Sequence, residues 1–193
     1  MRRALFLLAF VAVAPAADHR NLDADLAVTV EDAYPVKFRE PSFHGGWHGD
    51  GALIELEYGL ARNWQLNLGE RPGLLFNFNT ETLRIPAFAL KVEGDVSTGD
   101  VSWKGIVTRS FGRNRIHLNA GTGREHRWET VAGWDRPIAQ QTILVADIVA
   151  RDREPGAIEI GVRHQVTPRQ VWSAGVGVER DRVYFRLALT RAF

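Results

Sequence analysis

VYFRLALTRAF, residues 183–193, closes the sequence with apolar and polar side chains in alternation. The apolar side chains fall two residues apart, at Val183, Phe185, Leu187 and Leu189. The side chains opposite them are Tyr184, Arg186, Ala188 and Thr190. Because successive side chains of a β-strand point to opposite faces, this stretch predicts a strand with one apolar face. The last residues of a soluble chain usually fray and are seldom so apolar, so we expect a structural C-terminus.

The same period of two continues backwards along the chain as far as Gly51. In GALIELEYGL, residues 51–60, apolar residues alternate with Glu and Gly, and WQLNLGE repeats the pattern at 64–70. Further alternation occurs in IHLNAG at 116–121, GAIEIGVRHQV at 156–166 and VWSAGVGVE at 171–179. Glycine, proline and β-branched residues interrupt every candidate helix at strand intervals. The sequence therefore predicts an all-β chain.

The first sixteen residues have the features of a secretory signal peptide. Arg2 and Arg3 precede an apolar run over residues 4–13, and Ala-Pro-Ala at 14–16 supplies a small-x-small cleavage pattern. The run is shorter than the ~20 residues that a spanning helix needs, which disfavours a membrane anchor. We therefore expect residues 1–16 to be removed on export.

Composition narrows the classes of function. Cleavage would remove two arginines and no acids, which lowers the formal net charge from +1 to −1. Nucleic-acid binding needs a basic face, so no nucleic-acid partner is expected. The chain has no cysteine, so stability must come from packing and backbone hydrogen bonds rather than disulfides. GxGxxG and Walker patterns are absent, and we expect neither a nucleotide-driven step nor a cofactor.

Amphipathic strands occur in soluble sandwiches and in membrane barrels, and the aromatic residues favour the barrel. Short turns are predicted at residues 60–63, 112–114 and 167–169, and aromatic residues flank each of them. With the C-terminal residue these form a predicted aromatic girdle beside periplasmic turns: Tyr58, Trp64, Phe111, Trp172 and Phe193. We predict an antiparallel up-and-down transmembrane β-barrel whose apolar face contacts outer-membrane lipid.

Turn parity and strand length set the predicted strand number. The predicted strands are 26–38, 51–60, 64–70, 74–79, 85–93, 102–111, 115–122, 126–133, 141–151, 156–166, 170–179 and 182–193. All three short turns then follow even-numbered strands, as a barrel with both termini in the periplasm requires. The count predicts twelve strands, with ten as the alternative because two strands are short and 126–133 is weakly patterned. The predicted organisation is a signal peptide at 1–16, an N-terminal segment with the first strand at 17–50, and the barrel at 51–193.

The terminal phenylalanine carries a first resemblance. A last strand with alternate apolar residues that ends in Phe193 resembles the C-terminal strands of bacterial outer-membrane β-barrels. The barrel assembly machinery recognises this strand in those proteins, so the resemblance implies that partner here and a location in the bacterial outer membrane. Arg191 departs from the pattern, which usually has an apolar or aromatic residue there, but an arginine at this depth can extend into the lipid headgroups.

Four motifs in order carry a second resemblance. They are Tyr-Gly-Leu at residues 58–60, Pro-Ala-x-Ala-Leu at 86–90, Thr-Gly-Asp at 98–100 and Arg-x-His-x-Asn at 115–119. Over residues 51–193 the chain resembles the outer-membrane transporter family named MetA-pathway of phenol degradation. The resemblance implies a Gram-negative β-barrel that transports small aromatic, phenol-like compounds.

FHGGWHGDG, residues 43–51, is the one stretch that suggests a metal site. It brings His44, His48 and Asp50 close together in sequence, and imidazole and carboxylate are common metal ligands. Its glycines disfavour the helix that would place both histidines on one face. We therefore interpret this stretch as an ordinary loop or strand end and expect no metal.

The polar faces of the predicted strands would line the barrel interior. The candidate lumen-lining residues are Glu55, Glu57, His117, Asn119, Glu159, Arg163 and Arg186. Because the first and last strands meet on closure, the charged ones could form a ladder across neighbouring strands, which would either plug the lumen or line a narrow polar path. Residues 18–50 leave the same choice open, since Pro35 fits a closed ladder poorly and the segment could fold inward as a plug.

Together these observations predict a passive outer-membrane channel for small solutes, including hydrophobic aromatic compounds. Selection would depend on lumen width and on polar side chains. The alternative is a structural barrel with a sealed lumen that supports the envelope or binds a partner. A third alternative is an enzyme with its site in the lumen or at the rim, which would require a compact His, Ser and acid cluster. No such set has the spacing of a catalytic triad, so we expect no enzymatic activity.

Overall fold

The chain folds into a closed barrel in a computed structural model that describes residues 29, 31–48, 51–122 and 127–193. The strands of this part of the chain are β1 (Pro41–His48), β2 (Gly51–Ala61), β3 (Trp64–Gly69), β4 (Gly73–Asn79), β5 (Ala87–Gly94), β6 (Val101–Phe111), β7 (Asn114–Thr122), β8 (Trp128–Ala139), β9 (Thr142–Arg151), β10 (Glu154–Thr167), β11 (Gln170–Glu179) and β12 (Arg182–Ala192). Each strand pairs antiparallel with its neighbours in sequence, and β1 pairs with β12. The prediction of an all-β, up-and-down barrel of twelve strands is confirmed. No helix among the described residues is long and apolar enough to cross a bilayer.

The first strand is not where the sequence placed it. It is Pro41–His48 rather than residues 26–38, and most of the glycine-rich stretch interpreted as a loop or strand end is this closing strand. Glycine is required at position 46, where β1 pairs with β12, because a Cβ there would lie 2.7 Å from the Leu187 carbonyl oxygen of β12. Residues 31–36 instead lie within the barrel. Within the range predicted as the first strand, the described residues 31–38 are therefore not part of a wall strand.

The eighth strand is also longer than predicted. It runs from Trp128 to Ala139 rather than over residues 126–133, and it pairs with β7 and β9 along its length. Pro137 lies near its end, where the register with β9 shifts. A proline is tolerated at such an irregularity because no ladder hydrogen bond is lost there. The patterning of residues 126–133 is weak because the apolar Val131 is buried while Thr130 and Ala132 lie on the exposed face, and not because a strand is missing.

Both ends of the barrel chain lie at the same rim, which we call the terminal rim. The Phe193 N–H donates to the Pro41 carbonyl oxygen at 3.0 Å. Two-residue connections follow β2, β6, β8 and β10 at this rim. Residues 80–86, which follow β4, fold back onto β6, where Arg109 donates to the Thr82 carbonyl oxygen at 2.7 Å. The connections after odd-numbered strands form the opposite rim.

The two faces of the barrel wall differ in the way that a membrane barrel requires. The outer face carries exposed apolar side chains, among them Ile54, Leu68, Leu90, Leu118, Ile148, Ile158, Phe185 and Leu187. The inner face carries buried polar ones, among them Ser42, His44, Gln65, Asn67, Lys91, Thr108, His117, Asn119, Asp135, Asp147, Glu159 and Arg163. This distribution is the inverse of a soluble protein and matches an apolar band facing lipid around a polar interior.

Aromatic side chains gather near both rims. The five predicted girdle residues lie on the outer face at the terminal rim, where Trp64 packs 4.5 Å from Phe76. At the opposite rim, Trp103 packs edge-on to Trp128 at 5.5 Å, and exposed Trp47 of β1 lies at the same end. This second belt was not predicted from the sequence because its tryptophans flank glycine-rich or longer connections rather than recognisable turns.

Candidate functional site

Thr29 and residues 31–36, here termed the inner segment, occupy the barrel interior. The backbone N–H groups of Thr29, Glu31, Ala33 and Val36 donate to side chains of Asp147, Asn119, Thr108 and Gln65 at 2.8, 3.0, 3.0 and 2.7 Å. Side-chain amides of Asn119 and Asn77 donate in return to the carbonyl oxygens of Glu31 and Ala33, at 2.9 and 2.7 Å. Wall side chains thus supply the partners that a neighbouring strand would give a buried backbone.

An apolar patch on the inner wall fixes the middle of the inner segment. Ala33 and Tyr34 form a buried cluster with wall residues Leu75, Ala87, Ala89 and Ile106. Burial and the nearby Glu81 carboxylate raise the pKa of Tyr34 to about 12, so its hydroxyl stays protonated at neutral pH. The inner segment is therefore held by apolar contact as well as by hydrogen bonds.

Gly59 of β2 lets the chain leave the lumen at the terminal rim. The Arg39 N–H donates to the Gly59 carbonyl oxygen at 2.8 Å, and Phe38 forms a parallel bridge with the same residue. A Cβ at Gly59 would lie 2.2 Å from the Lys37 carbonyl oxygen. Only glycine permits this approach of two backbones, which gives a structural reason for the Tyr-Gly-Leu motif.

Glu31 is the charged contact between the inner segment and the wall. One of its carboxylate oxygens accepts from Lys104 Nζ at 2.6 Å, and the other lies 3.1 Å from Lys91 Nζ. Burial alone would raise the pKa of Glu31, but the two ammonium groups lower it to about 2. Lys91 also contacts Glu93 at 3.0 Å. Each oxygen of one carboxylate thus has its own lysine.

An acid-rich group lies on the inner face of β1–β3. The Glu57 carboxylate lies 2.9 Å from His44 Nε2 and accepts from the Gln65 amide at 2.7 Å. Glu55 accepts from the Asn67 amide at 2.7 Å. His44 therefore pairs with an acid of the neighbouring wall strand. Asp50 lies outside the described residues. Among the described residues, no cluster of three His, Cys, Asp or Glu side chains is arranged to bind a metal ion.

A second polar group connects β6, β7 and β8. Arg115 donates to Asp135 through Nη2 at 2.7 Å, and His117 Nε2 contacts the same carboxylate at 3.0 Å. His117 Nδ1 lies 3.1 Å from the hydroxyl of Thr108, which also accepts from the Ala33 N–H. The group links the terminal rim to the inner segment through buried side chains.

A third group lies on β10 and β12. Arg186 donates through Nη2 to Glu159 and to the Thr29 hydroxyl, both at 2.6 Å. The Tyr184 hydroxyl donates to the same Glu159 oxygen. Arg163 is buried on the same inner face. This group holds the start of the described inner segment near the middle of the barrel.

The structure places all seven sequence-predicted lumen residues on the inner face. Six of them belong to the three groups above, and Asn119 binds the backbone of Glu31. Arg186 pairs with Glu159 on β10, a contact that the predicted ladder included. Glu55 and Glu57 contact residues of β1 and β3. Lys91 and Lys104 were missed. Their spacing could have identified them as inward-facing. Lys91 is two residues after Ala89 and Lys104 is two residues before Ile106, so each lysine shares a strand face with a buried apolar residue.

An open cavity of about 430 Å³ lies at the terminal rim, beside the end of the inner segment. It is lined by Tyr34, Glu81, Thr82, Leu83, Arg109, Ser110 and Arg115. The cavity combines an aromatic ring and an exposed leucine with hydroxyl, carboxylate and guanidinium groups. The cavity lies where the inner segment meets the rim.

Comparison with known proteins supports the fold but identifies no family. No protein-family model matches the sequence, and no curated protein matches it. The chain is similar in structure to a KdgM porin, with 9% sequence identity, a TM-score of 0.55, and coverage of 80% of this chain and 99% of the porin. The KdgM porin in complex with disordered oligogalacturonate matches with 8% identity, a TM-score of 0.58 and the same coverage.

A third similar structure comes from work on in-meso crystallization of membrane proteins. It has 9% identity and a TM-score of 0.53, and the match covers 80% of this chain and 83% of that one. At such low identity the likeness concerns the path of the backbone and not the residues of a site. The barrel therefore has the fold of the outer-membrane porins.

Proposed function

We propose that this chain is a bacterial outer-membrane β-barrel through which small solutes diffuse passively, and that the inner segment holds it closed. The observation that carries the proposal is that the inner segment occupies the lumen and is bonded to wall side chains. Its polar wall binds a separate stretch of chain through Asn77, Thr108 and Asn119. A segment held by individual side-chain hydrogen bonds, each worth about 1 kcal/mol net, can leave without breaking the wall.

The proposed solutes are small aromatic, phenol-like compounds. The family resemblance implies this class, and the cavity at the terminal rim supports it with Tyr34 and Leu83 beside Ser110 and Arg115. An aromatic ring with one polar substituent would find apolar and hydrogen-bonding partners there. Diffusion would be downhill, and we assign no catalytic step to the barrel.

Outer-membrane lipid and the barrel assembly machinery are the proposed partners. The apolar outer face with aromatic side chains at both rims supports the first. The strand that ends in Phe193 supports the second by its resemblance to the C-terminal strands of such barrels. Residues 1–16, the predicted signal peptide that would direct export, lie outside the described residues.

A sealed structural barrel is the second candidate, and one observation favours it. The inner segment is bonded to the wall on several sides, through Glu31 to Lys104, through Ala33 to Thr108 and through Val36 to Gln65. If these contacts never release, the lumen conducts nothing. The two candidates therefore differ only in whether the inner segment moves.

A reversible disulfide between the inner segment and the wall distinguishes the channel from the sealed barrel. The Ala33 N–H donates to the Thr108 hydroxyl at 3.0 Å, so the two residues are in contact, and in the variant A33C/T108C a disulfide between them is formed by oxidation and verified by the loss of free thiols. The chain has no native cysteine, so this would be the only bond formed on oxidation. Single-barrel current across a planar bilayer is measured before and after reduction. Because phenol crosses a lipid bilayer without a protein, its flux would not report passage through the barrel. Entry of phenol into the lumen is therefore measured as a reduction of the single-barrel current.

Current that is absent in the oxidised variant and present after reduction, and that phenol reduces, is the expected result. The A33C variant alone, treated with the same reductant, controls for effects of the reductant on the bilayer. Absence of current in the reduced variant and in the unaltered protein, with both shown to be folded, would overturn the channel and leave the sealed barrel. Current that oxidation leaves unchanged would show that the inner segment is not the closing element.

A further inference from the structure

The contacts of Glu31 describe a binding site in which the protein's own carboxylate takes the place of a ligand. Lys91 and Lys104 approach different oxygens of the carboxylate, at 3.1 and 2.6 Å. The sequence contains only three lysines against 21 arginines, and two of the three meet here. Their side chains are 7% and 18% exposed, so the charges are largely withdrawn from water.

Displacement of Glu31 would leave cations that need a new partner. Lys91 would keep Glu93, which it contacts at 3.0 Å, but the structure shows no other carboxylate in contact with Lys104 among the described residues. An ammonium group that loses its carboxylate partner is left to water or to another anion, and apolar neighbours that limit its hydration favour the anion. In a conducting barrel the two lysines would therefore face either the water that enters the lumen or an anionic solute.

The wall beside the two lysines favours an anion with an apolar body. Lys91 shares an inner face with Ala87 and Ala89 on β5, and Lys104 shares one with Ile106 on β6. These apolar residues now contact Ala33 and Tyr34, which would leave together with Glu31. The vacated space would thus present two ammonium groups next to a surface that had held a tyrosine.

We propose that Lys91 and Lys104 form a carboxylate-binding site for small aromatic carboxylates, which Glu31 occupies while the barrel is closed. The inference rests on the proposed function, because a solute reaches the site only if the inner segment can leave it. It adds to the proposed phenol-like solutes a class of aromatic compounds that carry an ionised carboxyl group. Binding of such a solute would also favour release of the inner segment, since it replaces the contact that Glu31 gives up.

Direct binding tests the site without depending on conduction. The variant E31Q removes the competing charge and keeps both lysines, and benzoate binding to the folded barrel in detergent micelles is measured by calorimetry. Phenol and benzylammonium serve as probes of similar size without the negative charge. We expect benzoate to bind E31Q at least tenfold more tightly than either probe, and more tightly than it binds the unaltered protein.

Removal of the lysines should abolish this preference. E31Q/K104Q is expected to lose at least tenfold in benzoate affinity, and E31Q/K91Q to lose less because Glu93 already offsets Lys91. E31Q/K37Q is the matched control, since Lys37 is exposed and should leave binding unchanged. Equal binding of benzoate and phenol by E31Q, or full binding by E31Q/K104Q, would overturn the site. A barrel that binds benzoate but passes no current would instead refute the proposed channel and retain the site.

Discussion

The side chain of Asn119 makes two hydrogen bonds with the backbone of Glu31, as a neighbouring strand would. Its Oδ1 accepts from the Glu31 N–H at 3.0 Å, and its Nδ2 donates to the Glu31 carbonyl oxygen at 2.9 Å. The pair aligns Glu31 so that its carboxylate reaches Lys91 and Lys104. Asn119 therefore helps to fix the register of the inner segment within the lumen, together with the wall residues that bind Thr29, Ala33 and Val36.

Asn119→Ala should loosen the inner segment without harming the barrel. The substitution removes two hydrogen bonds worth about 1 kcal/mol each, which corresponds to a roughly 30-fold rise in the open-to-closed ratio. The measurement is the open probability of single barrels in a planar bilayer. Asn114→Ala, at a turn of the terminal rim, is the matched control and should leave the open probability unchanged. Equal behaviour of the two variants would show that Asn119 does not hold the segment.

Acid should open the barrel through Glu31. The pKa of Glu31 is about 2 in the bound segment, against an ordinary value of 4.5, so its ion pairs favour the closed state above pH 4.5 and are lost as the pH falls towards 2. The difference corresponds to on the order of 3 kcal/mol. We expect current to rise between pH 4.5 and 2.

E31Q separates this effect from titration of the other lumen acids. With no carboxyl group at position 31, the variant should conduct more than the unaltered protein at neutral pH and should show a much smaller rise in acid. Current is recorded for both proteins over the same pH series. An acid response that is the same in the two proteins would assign it to other groups, such as Glu55 or Asp135.

Gly59→Ala should displace the chain where it leaves the lumen. The new methyl group would lie 2.2 Å from the Lys37 carbonyl oxygen, a contact that backbone atoms cannot relieve by a side-chain rotation. Such overpacking typically costs 1–3 kcal/mol, and here the inner segment should move more readily than the paired wall. Gly51→Ala is the matched control on the same strand, because nothing lies within 4 Å of its added Cβ.

Two measurements show whether Gly59→Ala displaces the inner segment or destabilises the barrel wall. The heat-induced mobility shift on gels reports the stability of the barrel, and limited proteolysis of the folded protein reports release of the inner segment. We expect Gly59→Ala to retain the mobility shift at nearly the same temperature but to become more sensitive to protease. A lowered unfolding temperature with unchanged proteolysis would place the strain in the wall instead.

The barrel wall could be predicted because its signals are local. A period of two and a short turn need only neighbouring residues, so β2, β3 and β12 follow from their own sequences. The direction of each side chain is equally local, since Glu159 and Arg163 must share a face if the strand is regular. Eleven of the twelve strands, with these inward residues, could therefore be located without coordinates, whereas β1 was placed too early in the chain.

The inner segment could not be predicted because its partners are distant side chains. Thr29 binds Asp147, which is 118 residues away, and Ala33 binds Thr108, which is 75 residues away. An extended chain inside a lumen alternates its contacts as a wall strand does, so periodicity cannot separate the two. Pro35 was the one local indication that residues 31–36 do not belong to a closed ladder.

Phe193→Ala should reduce delivery to the outer membrane more than it reduces stability. The exposed Phe193 ring lies 5.2 Å from the Arg191 guanidinium, while the backbone N–H of Phe193 binds Pro41. The substitution removes the ring and keeps the N–H, so barrel closure is preserved. If the assembly machinery reads the ring, the amount of folded barrel in the outer membrane should fall severalfold, while refolding in detergent stays unchanged. Phe193→Tyr, which keeps a ring, should restore delivery. Equal delivery of the alanine and tyrosine variants would contradict recognition through Phe193.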